Sequence, residues 1–459
     1  MLIKNFAIRN LFGYQDFEIN FQQKNTIFVG ENGMGKTTIL AILYHTLSLN
    51  FKELSRFDFE TIEIQYENTE KFEISYFQIK EFSRVEDYNH YNSIPHHVSS
   101  KIISEIENKK INGSDFQSKQ VKKDTIKEIQ SIIHNKYNLR IPLSLIDETI
   151  KPELFLQTSG LKDFVTETKK ILTSTKILYF PTYRRIEEDI QNLEFEEERL
   201  NFYSSKEEKI SSRSAGELIR FGMTDVAETI KKLLDTIKKN SIDSFNKMTG
   251  ELLEQYVDNR LEKSEVSTLS EKDINISLNR VGDKINPELR DKIIQLSRDG
   301  ELSKYKYLNN LIENLVNKNK SLESIDNKIQ HFVDICNSYL YGKQFVYNPS
   351  KVTLDIQLTS HNSTVELSQL SSGEKQLVST FSKIFLEDNE KLIILFDEPE
   401  LSLSISWQEN FIYDIFNAEN SIFGLAVTHS PYIFEKDQMY DVTYEMSKYI
   451  KEDNDSHES

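Results

Sequence analysis

The stretch GENGMGKTT at residues 30–38 decides the fold class of this chain. It lies between the apolar run TIFV and TTILAILYHTLSL, which indicates a strand, a loop and a helix in that order. The glycines let successive backbone N–H groups face a phosphate, and the helix N-terminus adds positive potential. Lys36 would reach the β- and γ-phosphates, and the Thr37 hydroxyl would bind Mg²⁺. The alternative is a glycine-rich turn without a ligand, which the strand–loop–helix context disfavours. We therefore predict phosphate binding by the whole loop, Gly30, Glu31, Asn32, Gly33, Met34, Gly35, Lys36, Thr37 and Thr38.

Two more buried strands end in polar residues. LIILFDEPE at residues 392–400 places Asp397 at a strand tip, where it can lie beside Mg²⁺, and Glu398 next to it, where it can polarise an attacking water. Taken alone, the stretch LIILFDEPE could also be a strand followed by an acidic turn without a catalytic role. GLAVTHSPYIF at residues 424–434 ends at His429, which could hydrogen-bond a γ-phosphate or the water. We predict that Glu398 and His429 are catalytic and that Thr37 and Asp397 hold the metal, with Glu400 in a structural role.

A second anion site is predicted at LSSGEKQ, residues 370–376. Ser371 and Gly373 stand where a helix begins, and a helix N-terminus favours negative charge. Ser371 precedes the two carboxylates by one helix and a turn.

Composition narrows the function classes. The 459 residues hold 56 Lys+Arg and 73 Asp+Glu, a formal net charge of −17. This argues against a protein that coats nucleic acid or anionic membrane over its whole surface, although it does not exclude a local basic groove. The single cysteine, Cys336, excludes an internal disulfide or a cysteine-rich metal site. Since MLIKNFAIRN alternates like a strand and no run approaches ~20 apolar residues, we expect a cytoplasmic protein without membrane segments.

Hydrophobic periodicity predicts a chain in which one α/β unit is interrupted twice. A helical period runs over residues 222–257, a second set follows over 289–335, and residues 258–288 read as a charged loop. The two helical runs could form a short antiparallel arm. The predicted segments are an N-terminal lobe with the phosphate loop (1–80), a helical insertion (81–170), a core strand with a linker (171–221), the arm (222–345), a C-terminal lobe (346–445) and an acidic tail (446–459).

Together, the loop at 30–38, LSSGEKQ, LFDEPE and AVTHS resemble the head of ABC-type ATPases. Ser371 follows Lys36 by 335 residues. This long separation resembles that in the SMC, RecF and OLD-family group, in which a helical arm interrupts the head. The resemblance implies an α/β head with a mixed sheet and flanking helices, and Mg²⁺-dependent ATP hydrolysis. It also implies a homodimer, or an oligomer of such dimers, in which Ser371 and Gly373 contact the nucleotide bound by the other subunit's loop.

A narrower resemblance comes from ILYFPTYRRIEEDI, RFGMTDVAETI, FNKMTGELL and DEPELSLSISWQ. They look like the ATPase subunit of Septu-type antiphage systems (PtuA), relatives of which occur with some retrons. The residues after His429 are too few for a Toprim nuclease domain, so the resemblance implies a separate effector, for which an HNH nuclease is the candidate. Transporter heads have a glutamine where this chain has Thr182 after Pro181, so Thr182, Tyr183 or Arg184 would replace it.

Three functions remain open from the sequence. The first is an ATP-hydrolysing subunit that scaffolds and regulates the nuclease of an antiphage complex. The second is a RecF/SMC-like DNA-maintenance ATPase that holds duplex DNA. Seven lysines between Lys101 and Lys127 could contribute a basic patch, but neighbouring acidic residues dilute it. The third is a protein-interaction module in which ATP is a structural ligand.

Overall fold

The computed structural model of the chain describes residues 2–90, 119–137, 139, 141–143, 146, 161–182, 216–218, 223–257, 269–282, 285–361, 363–387 and 391–452. The chain divides into two compact units, the first formed by Met1–Arg220 with Glu390–Ser459 and the second by Phe221–Asn389. The six-segment division derived from the sequence stays a prediction.

Strands and helices alternate through the first unit, and helices predominate in the second. The described strands are β1 Ile3–Leu11, β2 Gln15–Asn20, β3 Asn25–Val29, β4 Thr61–Tyr66, β5 Lys71–Ser75, β6 Thr175–Phe180, β7 Gly216–Leu218, β8 Lys343–Asn348, β9 Thr353–Leu358, β10 Thr364–Val365, β11 Lys391–Asp397, β12 Ser421–Thr428, β13 Thr443–Glu445 and β14 Ile450–Glu452. The described α-helices are α1 Lys36–Leu47, α2 Phe51–Leu54, α3 Tyr76–His90, α4 Lys119–Tyr137, α5 Leu161–Ile171, α6 Met223–Val257, α7 Glu271–Arg280, α8 Pro287–Arg298, α9 Lys306–Lys320, α10 Glu323–Tyr339, α11 Ser372–Phe381, α12 Ile405–Phe416 and α13 Asp437–Tyr440.

A six-stranded parallel sheet carries the phosphate loop. Its strand order is β13-β3-β12-β11-β6-β7, and every neighbouring pair is parallel. Parallel sheets are covered on both faces, so their strands are apolar throughout rather than alternating. Strand β11 follows this rule, because all residues from Leu392 to Asp397 are buried. The carboxyl ends of β3, β6, β11 and β12 therefore meet at one edge of the sheet, where polar side chains are gathered.

A five-stranded antiparallel sheet, in the order β14-β2-β1-β4-β5, completes the strands of the first unit. Its inward side chains share one hydrophobic cluster with α1 and with one face of the parallel sheet. Helix α1 is consequently apolar on nearly all sides, and Leu40, Ile42 and Leu43 are fully buried. The predicted α/β class with flanking helices and a helical interruption is confirmed, and its strands are divided between a parallel and an antiparallel sheet.

The second unit combines helices with a small sheet. Helices α6 to α9 share a hydrophobic cluster that includes Met248, Ile274, Ile293 and Ile312. Strands β8, β9 and β10 form an antiparallel sheet in the order β10-β9-β8. Among the described residues, no helix is long and apolar enough to span a membrane.

Local capping explains two differences from the sequence predictions. The alternating stretch FEISYFQI, residues 72–79, predicts a strand, but residues 76–79 begin α3, because Ser75 and Gln78 form a reciprocal cap. The Ser75 N–H donates to Gln78 Oε1 at 2.9 Å, and the Gln78 N–H donates to Ser75 Oγ at 3.3 Å. The prediction of a loop at 258–288 was wrong for residues 271–280, where Ser270 caps α7 by accepting the Asp273 N–H. The second helical run is also divided, into α8, α9 and α10.

Gly424 in β12 offers a test of the core packing. A Cβ atom at this position would lie 2.7 Å from two ring atoms of Phe416, which is fully buried. Because that ring cannot move without disturbing the core, Gly424→Ala should lower the free energy of unfolding by about 1–3 kcal/mol in urea titrations. Gly250→Ala is the matched control: this position in α6 has open space around it, so the change should raise stability by about 0.5–1 kcal/mol. Equal midpoints for Gly424→Ala and wild type would contradict the packing.

Candidate active site

The loop between β3 and α1 has the backbone shape that phosphate binding requires. Gly33 and Gly35 adopt φ angles of 88° and 78°, in the left-handed region that favours glycine. The loop is also tightly enclosed, since a Cβ atom at Gly30 would lie 3.0 Å from Met34 Sδ and one at Gly35 would lie 3.3 Å from the Phe12 ring. Glu31, Asn32 and Gly33 remain exposed at the surface of the loop. A side chain at Gly30 or Gly35 would therefore press against Met34 or the Phe12 ring, so both positions favour glycine.

Lys36 lies beneath this loop, with its Nζ within hydrogen-bond distance of two backbone carbonyls and one ring nitrogen. Its Nζ is 2.8 Å from the carbonyl oxygens of Gly30 and Glu31, and 2.7 Å from His429 Nε2. Burial lowers the pKa of Lys36, while the charges of Glu398 and Asp397 act in the opposite direction. An ammonium held in this way is a compact positive charge directly below the phosphate cradle.

A hydroxyl and a carboxylate meet beside Lys36. Thr37 Oγ1 donates to Asp397 Oδ1 at 3.0 Å, and Thr182 Oγ1 donates to Asp397 Oδ2 at 3.4 Å. Asp397 is buried at the tip of β11, while Thr182 follows the neighbouring strand β6. Oxygen ligands of this kind suit Mg²⁺, which is usually held by one or two protein groups together with substrate phosphates. The donor set therefore fits the predicted metal.

Glu398 is held in an unusual backbone conformation. Its φ angle is 49°, the left-handed region that non-glycine residues seldom adopt. Its N–H donates to Val427 O at 2.9 Å, which ties this residue to strand β12. The side chain points back to the site, with Oε1 3.4 Å from His429 Nε2. Strained residues of this kind cluster at active sites, where the surrounding structure maintains them.

Ser371 and Gly373 lie at the start of α11, in the second unit. Ser371 Oγ accepts the Glu374 N–H at 3.4 Å, and Glu374 Oε2 accepts the Ser371 N–H at 2.7 Å. Glu374 also accepts a hydrogen bond from Lys343 at 2.8 Å. Burial would raise the pKa of Glu374, but the hydrogen bonds from Lys343 and Ser371 outweigh burial and lower it. The helix start is therefore ordered by a complete capping box.

Comparison with known proteins agrees with this geometry. Residues 1–434 match the model of the AAA ATPase domain family. The chain belongs to this family. It is also similar to the Retron Vc95 probable ATPase of Vibrio cholerae serotype O1 biovar El Tor, with 24% identity over an alignment 474 positions long that covers 98% of this chain and 75% of that protein. The chain is an ATPase.

The structure brings five predicted side chains together in the first unit. These side chains belong to Lys36, Thr37, Asp397, Glu398 and His429. The roles assigned to them individually stay predictions.

Two further residues at this site, Thr182 and Glu400, make contacts that could not be predicted from the sequence. Thr182 was one of three candidates for the missing glutamine, and its contact with Asp397 favours it; Tyr183 and Arg184 lie outside the described residues. Glu400 was given a structural role, and it accepts the backbone N–H of His429 at 2.7 Å. The motif DEPE alone does not reveal this contact, because it depends on β11 and β12 being neighbours.

Proposed function

We propose that this chain is the ATP-binding and ATP-hydrolysing subunit of a cytoplasmic antiphage defence complex, in which it scaffolds and regulates a separate nuclease effector. The single observation that carries the ATPase part is the meeting of Lys36, Thr37, Asp397, Glu398 and His429 at one sheet edge. The defence part is supported by the similarity to a retron ATPase and by the motifs that resemble Septu-type subunits. An HNH nuclease is the effector that this resemblance favours.

The proposed chemistry assigns one task to each group. Lys36 exchanges its contacts with loop carbonyls for oxygens of the β- and γ-phosphates, and the backbone N–H groups of the loop bind the others. Thr37 and Asp397 hold Mg²⁺, which when bound neutralises charge on the phosphate oxygens. Glu398 accepts a proton from the attacking water, and His429 hydrogen-bonds the γ-phosphate or that water. Thr182 orients Asp397.

A second copy of the chain would complete the site. In the ATPase heads that this chain resembles, the serine and glycine of the signature motif contact nucleotide bound to the other subunit. Ser371 and Gly373 would do so here, and the capping box at Glu374 keeps that helix start ordered before the second copy arrives. We therefore propose a homodimer as the smallest active unit, with larger assemblies built from such dimers.

The test of the defence function is a phage challenge of bacteria that carry the gene with its native neighbours. Plaque formation should fall with the intact locus, and it should return when the neighbouring nuclease gene is removed or when the chain carries Lys36→Ala. Protection by this chain alone, without its neighbours, would contradict a separate effector. Unchanged protection by Lys36→Ala would contradict a need for nucleotide binding.

A second candidate, a RecF/SMC-like DNA-maintenance ATPase, is favoured by one surface feature. Helix α6 exposes Lys231, Lys232, Lys238 and Lys239 in its first half. Asp235 interrupts this set, and three of the seven lysines between Lys101 and Lys127 lie outside the described residues. Duplex DNA binding by the full chain whose affinity falls steeply with salt would favour this candidate over the first.

A further inference from the structure

The carboxylate of Glu400 is fully engaged by three consecutive residues at the end of β12. Its Oε2 accepts the Thr428 hydroxyl at 2.8 Å. Its Oε1 accepts the backbone N–H of His429 at 2.7 Å and that of Ser430 at 3.1 Å. Charge-assisted hydrogen bonds of this length are among the stronger ones in proteins. One side chain in the loop after β11 thus fixes the turn that follows the neighbouring strand.

The side chain of Gln408 also hydrogen-bonds to this turn. Gln408 is buried near the start of α12, and its Oε1 accepts the Ser430 hydroxyl at 2.6 Å. Its Nε2 donates to Leu403 O at 3.0 Å, in the loop that joins β11 to α12. Ser430 is therefore held by Glu400 through its backbone and by Gln408 through its side chain.

The restraint matters because of where the His429 ring lies. Its Nε2 is 2.7 Å from Lys36 Nζ and 3.4 Å from Glu398 Oε1. The direction of an imidazole from a strand tip is set by the backbone that carries it, and Glu400 holds that backbone on both sides of the Cα atom.

We propose that Glu400 is a positioning residue, whose carboxylate fixes Thr428–Ser430 so that the His429 ring stays between Lys36 and Glu398. This inference rests on the proposed role of His429 in hydrolysis. Glu400 acts on His429 through hydrogen-bond geometry, and its charge, which also acts to raise the pKa of Lys36, is the alternative that the substitutions below test. Its closest contacts are backbone N–H groups and a hydroxyl, which an uncharged acceptor of the same length can also satisfy.

Three substitutions at this position separate geometry from charge. Glu400→Gln keeps the length and places one carbonyl oxygen for His429 and Ser430, while its amide can donate to the Thr428 hydroxyl. Glu400→Asp keeps the charge but withdraws the carboxylate by about 1.5 Å. We expect a wild-type kcat for Glu400→Gln. For Glu400→Asp and Glu400→Ala we expect kcat to fall on the order of 10- to 100-fold, with the KM for ATP unchanged. Glu419→Ala, an exposed glutamate before β12, is the matched control and should behave as wild type.

A double-mutant cycle with His429→Ala tests whether Glu400 acts through the imidazole. Once the ring is absent, Glu400→Ala should cause no further loss of kcat. A further loss equal to that seen in wild type would overturn the inference, and so would an active Asp variant beside an inactive Gln variant. If circular dichroism shows that Glu400→Ala does not fold, the comparison of kcat between Glu400→Asp and Glu400→Gln tests the inference.

The same kinetic data distinguish failure of this inference from failure of the proposed function. An inactive His429→Ala beside a fully active Glu400→Ala would reject the positioning role alone. A fully active His429→Ala would reject the proposed role of the imidazole, and the positioning role with it.

Discussion

Glu398→Gln should lower kcat for ATP hydrolysis by roughly 10²- to 10⁴-fold, the range that a positioned general base contributes. The amide has the same size, so the left-handed backbone at this position and its bond to Val427 should persist. What is lost is the ability to accept a proton from water. Phosphate release under saturating ATP and Mg²⁺ measures the fall, and binding of a fluorescent ATP analogue shows whether affinity is retained.

The same variant should accumulate in its ATP-bound state. Because hydrolysis no longer empties the site, size-exclusion chromatography with ATP should show a larger species than without nucleotide. Glu419→Gln changes an exposed carboxylate elsewhere in the first unit and should hydrolyse ATP at the wild-type rate. Wild-type turnover by Glu398→Gln would show that another group accepts the proton.

Lys36→Ala should remove most of the affinity for ATP. Hydrogen bonds that involve a charged group contribute about 1.5–3 kcal/mol each. Loss of two such bonds to phosphate corresponds to roughly a 10²- to 10⁴-fold weaker Kd, at about 1.4 kcal/mol for each factor of ten. Isothermal titration calorimetry with a non-hydrolysable ATP analogue measures this change.

Lys391→Ala is the control for that experiment. Lys391 is exposed at the amino end of β11, whereas the phosphate loop lies at the carboxyl edge of the same sheet. Its replacement should leave the Kd unchanged. An unchanged Kd for Lys36→Ala, in protein with a wild-type melting temperature, would place the nucleotide outside the loop at 30–38.

The grouping of the site could be predicted because parallel strands bring their carboxyl ends to one edge. Once TIFV, LIILF and GLAV are taken as neighbouring parallel strands of one sheet, Lys36, Asp397 and His429 are expected near one another. The partners of Thr182 and Glu400 could not be derived in this way. They depend on β6 and β12 both lying next to β11, and the order of strands is a tertiary property.

The helices also differ in how well hydrophobic periodicity predicts them. Residues 222–257 were predicted as helical from periodicity, and α6 covers Met223–Val257. Helix α7 was missed because only two apolar residues, Ile274 and Leu278, mark its buried face. The Ser75–Gln78 cap is visible in the sequence, but alternating apolar residues before it favoured a longer strand. At the start of α3 the local cap, and not the hydrophobic alternation, decides where the strand ends.

The most direct test is a structure of full-length Glu398→Gln solved with ATP and Mg²⁺. The proposal predicts the triphosphate on the loop at 30–38, Mg²⁺ bound by Thr37 beside Asp397, and the side chain at position 398 facing the γ-phosphate. It also predicts Ser371 of a second copy against the same nucleotide. A nucleotide bound away from this loop would contradict the catalytic site, and one enclosed by a single copy would contradict the shared one.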